Sequence, residues 1–84
     1  MMIKVRYFAQ LRERLGRAAD DIAWEEAAPT VGGLRELLAR REPASAGVLR
    51  TGALLVAVNR EYAAADAVLH DGDEVALFPP VTGG

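Results

Sequence analysis

The sequence predicts an α+β fold in which one main helix covers one face of a mixed sheet. Three patterns predict it. "MIKVRYF" at residues 2–8 alternates with period two, residues 30–41 repeat apolar side chains at spacings of three and four, and "EVALF" at residues 74–78 alternates again. A lone amphipathic helix needs an apolar surface to cover, and the strands supply it.

On the first strand Ile3, Val5 and Tyr7 point to the core, and Lys4, Arg6 and Phe8 point away. "AQLRERLG" is a short helical turn or loop closed by Gly16. "DDIAWEE" is a weaker strand with Ile22 and Trp24 on one face, and it forms a hairpin with the first strand. Thr30 is an N-cap for the main helix. Val31, Leu34, Leu37, Leu38 and Arg41 then define one stripe, while Arg35, Glu36 and Arg40 take the wet face. Gly32 and Gly33 weaken the first turn. Pro43 ends the helix, and residues 43–52 read as a connection.

"ALLVAV" at residues 53–58 reads as a central strand, "NR" as a turn, and Glu61-Tyr62 as a short edge strand. Asp71-Gly72-Asp73 is a turn into the last strand, where Val75 and Leu77 face inward. With the first and last strands paired at the centre, this arrangement is a β-grasp.

The 84 residues make one domain, 1–78, followed by a flexible tail, 79–84. A chain of this length supports one modest core. The hydrophobic fraction of 51% and charged fraction of 26% are those of an ordinary globular protein. Ten basic and twelve acidic residues are interspersed, for a net charge of −2, so no basic stripe for nucleic acid is expected. No apolar run reaches the roughly 18 residues of a membrane span. The opening "MMIKVRYF" reads as a strand rather than a signal peptide, and a cytoplasmic location is expected. The absence of cysteine excludes a thiolate nucleophile and any cysteine metal site. With His70 the single histidine, no metal site is expected. A Ser45–His70–Asp triad can be written, but Ser45 sits in loop-like "EPASAG" without a nucleophile-elbow context. His70, in "LHDGDE", reads as a solvated turn residue.

Two aromatics are placed outward by the alternation. If the first and last strands are parallel neighbours, Phe8 and Phe78 lie side by side at one end of the sheet. Such a pair marks a partner surface more readily than a satellite core. Tyr62 extends the patch.

The tail leaves from this end. Pro79 and Pro80 cannot continue a ladder and give an extended exit. Pro79, Pro80, Val81, Thr82, Gly83 and Gly84 together reach roughly 20 Å, enough to thread a partner's active site. Gly83 and Gly84 carry no Cβ and pass a narrow channel. The reactive group at the tip is the Gly84 α-carboxylate. ATP converts a carboxylate to an acyl-adenylate, and sulfur attack on that anhydride gives a thiocarboxylate. A chain without cysteine can carry sulfur in this way.

"LHDGDEVALFPPVTGG" at residues 69–84 closely resembles the C-terminus of the MoaD-type sulfur carriers, the small subunits of molybdopterin synthase, in the MoaD/ThiS family of ubiquitin-like proteins. "IKVRYFAQLRERLG" is similar to that family's opening strand and loop, "PTVGGLRELL" to its helix start, and "LLVAVNREY" to its central strand and turn. The resemblance spans essentially the whole chain and implies a ubiquitin-like β-grasp. It implies that a MoeB-type activating enzyme adenylates Gly84 with ATP and magnesium, and that a sulfur donor then makes the thiocarboxylate. The charged carrier would dock on a MoaE-type large subunit, which supplies the catalytic residues. Sulfur would pass there to cyclic pyranopterin monophosphate in molybdenum cofactor biosynthesis. This chain would bind no cofactor itself. Phe8, Tyr62 and Phe78 fall on the family's apolar subunit contacts, with Tyr62 adding a hydroxyl to an aliphatic site. Gly32-Gly33 also departs from the family's usual residues. A thiazole-pathway (thiamine) sulfur carrier, a ubiquitin-like protein modifier and a binding module with an inert tail remain as alternatives.

Overall fold

The computed structural model describes residues 1–80. Five strands, β1 (Met2–Tyr7), β2 (Ala19–Ala23), β3 (Leu55–Val58), β4 (Glu61–Tyr62) and β5 (Glu74–Phe78), form one sheet in the order β2-β1-β5-β3-β4. The β1–β5 pair is parallel and every other pair is antiparallel. This is the mixed sheet of a β-grasp. "ALLVAV" contributes a strand only from Leu55, and the centre of the sheet belongs to β5.

The alternation of β1 is kept throughout: Ile3, Val5 and Tyr7 are buried and the residues between them are exposed. Val75 and Leu77 face the same core from β5. Helix α1 (Ala9–Leu15), where a short helical turn or loop is expected, separates β1 from β2, and the two strands pair as expected. Gly16 closes α1 in the left-handed region at φ 71°, a conformation glycine adopts without a Cβ penalty.

Helix α2 (Val31–Arg41) lies on the inner face of the sheet. The Thr30 hydroxyl accepts from the Gly33 amide at 3.1 Å, the N-cap bond the sequence suggests. Val31, Leu34, Leu38 and Ala39 are buried, whereas Arg41 is exposed and leaves the stripe. The first turn is held closely. The Gly32 amide donates to the Ala65 carbonyl at 2.8 Å, and a Cβ on Gly32 would lie 3.2 Å from that oxygen. Glycine there permits the 63–69 loop to approach the helix backbone.

Residues 43–52 are not a plain connection. A 3-10 turn (Pro43–Ser45) leads into a short helix, α3 (Ala46–Arg50), that buries Leu49 completely. Pro43, Gly47 and Gly52 mask this element in the sequence, because packing rather than propensity stabilises a helix of one turn or so. Arg35 belongs to it as well. Instead of taking the wet face, its guanidinium donates to the carbonyls of Leu49 and Thr51 at the end of α3. Partial burial pulls its pKa below the usual arginine value, and these bonds compensate the desolvated charge.

A second polar lock joins β1, β2 and the end of α2. Tyr7 donates to Asp20 Oδ2 at 2.8 Å, and Arg17 bridges Asp20 and Glu42 at 2.7 Å each. Burial, and then the bond to the Asp20 carboxylate, push the Tyr7 phenol above its ordinary range.

Candidate partner-docking face and tail exit

The outer face of the sheet is built by the same alternation that fills the core. Parallel pairing sets Tyr7 beside Leu77, so the residues that follow each of them, Phe8 and Phe78, also fall side by side. Their rings stack with centroids 4.6 Å apart and planes 18° from parallel. Phe8 is held there by a sharp backbone turn. Ala9 adopts φ 50°, and the Phe8 carbonyl accepts from the Leu11 amide as α1 begins. A left-handed alanine costs roughly 1–2 kcal/mol. That conformation turns the chain out of the sheet while leaving the ring at its end. The Arg6 guanidinium lies 5.8 Å from the Phe8 ring centroid and pairs with Glu74 at 3.2 Å.

Tyr62 joins the patch as expected. It is 75% exposed and pairs with Ala57, which in turn faces Ala76. The three aromatics named from the sequence therefore surround one hollow of about 320 Å³ floored by Ala57 and Ala76. Leu55, 54% exposed and directly opposite Phe78, extends the same apolar surface. Leu55 and the hollow's floor are not picked out by the sequence reading. The signal was present, since an inward Val56 sends Leu55 and Ala57 outward, but the continuous apolar run hides which face is which.

Pro79 is buried and Pro80 half-buried, so the chain is still packed against the body one residue beyond β5. Pro79 thus directs the exit from the aromatic end of the sheet. Val81, Thr82, Gly83 and Gly84 lie outside the described residues.

Ser45 and His70 occupy unlike environments. Ser45 is buried at the start of α3. His70 is exposed in the turn before β5, with Nδ1 3.8 Å from Asp73 Oδ2 and its backbone amide donating to the same oxygen at 2.8 Å. His70 is the solvated turn residue expected. Among the described residues no helix is long and apolar enough to cross a membrane.

This geometry has counterparts. Residues 5–84 match the ThiS family. The molybdopterin synthase sulfur carrier subunit of Escherichia coli (strain K12) is 49% identical over 83 residues, covering 99% of this chain and 100% of that protein. SAMP1, the small archaeal modifier protein 1 of Haloferax volcanii, superposes with a TM-score of 0.85 at 31% identity, covering 100% of both chains. A chain in the complex of subunits 1 and 2 of the molybdopterin-converting factor from Helicobacter pylori 26695 superposes with a TM-score of 0.66 at 28% identity, again covering 100% of both.

Proposed function

The chain belongs to the ThiS family, and on that premise we propose that it is the sulfur-carrier subunit of a molybdopterin synthase. The observation that carries the reading is the stacked Phe8–Phe78 pair at the end of the sheet from which Pro79 and Pro80 leave. A large subunit docks on that pair and on Tyr62, and the tail enters its active site. The solved complex of subunits 1 and 2 of the Helicobacter pylori converting factor, which contains a chain of this fold, supports such a partner.

The chemistry resides at Gly84. An activating enzyme of the MoeB type, using ATP and magnesium, joins the Gly84 carboxylate to AMP and releases pyrophosphate. Sulfide-level sulfur from a donor displaces AMP and leaves a thiocarboxylate. Docked on the large subunit, that sulfur bonds to cyclic pyranopterin monophosphate, and water then cleaves the acyl–sulfur bond, leaving sulfur on the pterin and Gly84 as a carboxylate again. The body of the chain contributes binding and orientation, and the large subunit contributes the catalytic groups. The site of action is cytoplasmic.

Intact-mass measurement after incubation with the activating enzyme, ATP and a sulfur source tests this. The expected product has one oxygen replaced by sulfur, located at Gly84 by fragmentation. An unmodified terminus after a competent activation reaction sinks the reading. Transfer of Gly84 to an amine of another protein is a second reading, favoured by the likeness to a small archaeal modifier protein. Isopeptide-linked products in the same reaction distinguish it.

A further inference from the structure

The turn between β3 and β4 is two residues long, Asn59-Arg60, with φ of 50° and 73°. Asparagine adopts such angles readily, whereas an arginine there carries a backbone cost. The turn is fixed around it. The Asn59 amide donates to the Glu74 carbonyl at 2.8 Å, its side-chain nitrogen donates to Asp73 at 2.9 Å, and its side-chain oxygen accepts from the Glu74 amide at 3.0 Å. These bonds fix Asn59, and a two-residue hairpin turn requires a positive φ at Arg60 without requiring an arginine. Among the described residues Arg60 makes no ion pair.

Arg60 lines the hollow floored by Ala57 and Ala76 and walled by Phe8, Phe78 and Tyr62, as do Arg6 and Glu74. The other cation at this hollow, Arg6, is already committed to Glu74. The site is therefore apolar at its floor, with an exposed arginine that has no ion-pair partner among the described residues. Bulky side chains seated in such pockets dominate many interfaces, and rim charges set association rate and salt dependence.

We propose that the hollow seats one bulky apolar side chain of the large subunit, and that Arg60 pairs with a carboxylate beside it on the same partner segment. The proposal rests on the docking reading above. It is carried by the Arg60 charge, unpaired among the described residues, and by the continuity of the hollow with the Phe8–Phe78 stack. The two alanines make the room: a larger side chain at either position fills the seat. The turn makes the charge specific, since Asn59 fixes the backbone from which Arg60 reaches.

Calorimetry and stopped-flow association with the cognate large subunit, at low and high salt, test this on the full chain. Arg60→Gly relieves the left-handed arginine, so the variant folds with a Tm no lower than that of the parent. Its affinity is expected to fall about three- to tenfold at low salt, through slower association, and its salt dependence to flatten. Arg60→Lys should restore most of both. Ala76→Leu should weaken docking by filling the seat while retaining the circular-dichroism spectrum of the parent. Phe78→Asp serves as the reference for docking itself. Parent-like affinity and salt slope in Arg60→Gly, with docking lost in Phe78→Asp, overturns the role of Arg60 and leaves the docking face standing. Parent-like binding by Ala76→Leu overturns the seat. Undiminished binding by Phe78→Asp overturns the docking reading and this proposal with it.

Discussion

Phe8 and Phe78, at opposite ends of the chain, stack at 4.6 Å because β1 and β5 run parallel and in register. The stack joins the end of the central strand, β5, to the residue after its neighbour β1, and it stands beside Pro79 and Pro80.

Replacing Phe78 by aspartate is expected to abolish docking on the large subunit while the free domain still folds. The ring is half-buried in the free protein, and its loss there removes a stacking term of about 0.5–1.5 kcal/mol. In the complex the same position carries an unpaired charge into an apolar contact, at a cost of several kcal/mol. Calorimetric titration beside thermal unfolding separates the two. An unfolded variant would make Phe78 a core residue, and an unchanged Kd would place it outside the interface.

Adding one residue after Gly84 is expected to stop sulfur transfer and leave docking largely intact. The addition moves the carboxylate about 3.5 Å along its channel. Misplacing a reacting group by about 1 Å can already cost about a hundredfold in rate. A bulky replacement at Gly83 should act similarly, by exclusion rather than reach. Single-turnover conversion of the pterin precursor, measured beside a binding assay, reports both effects. Full turnover by the untrimmed extended protein would remove Gly84 from the mechanism.

Tyr7→Phe is expected to change stability most clearly at alkaline pH. The folded phenol titrates above its ordinary value of 10.0, chiefly through burial and then through its bond to Asp20. In the unfolded chain it ionises near that ordinary value. Its contribution is therefore complete below about pH 10 and is lost as pH rises toward the folded value. Removing the hydroxyl should cost about 1.5–3 kcal/mol at neutral pH, because its bond is to a carboxylate. The variant should then show a flatter decline above pH 10. Denaturant melts at pH 7 to 11 measure this, and parallel curves for the two proteins over that range would assign the alkaline loss to other groups.

Much of the fold is legible in local pattern. Period-two alternation identified the inward residues of β1 and β5, and the 3.6-residue stripe with Thr30 ahead of it located α2. The signals are strong because each strand or helix has one wet and one dry face, so burial is written directly into the order of side chains. The Phe8–Phe78 pair follows from the same alternation once parallel pairing is assumed. Helix α3 is not legible in this way. Its few residues have no period to read, and the burial of Leu49 and the bonds from Arg35 hold it in place.

The sequence by itself determined the strands, the main helix and the outward aromatics, because each depends on neighbours along the chain. Only the tertiary structure decided that Arg35 caps α3, that Gly32 admits the 63–69 loop, that Leu55 joins the aromatic face, and that Arg60 lines a hollow floored by two alanines. Each of these depends on which distant segment arrives opposite the residue. A single sequence records what a side chain can do, and strand pairing and packing set what it meets.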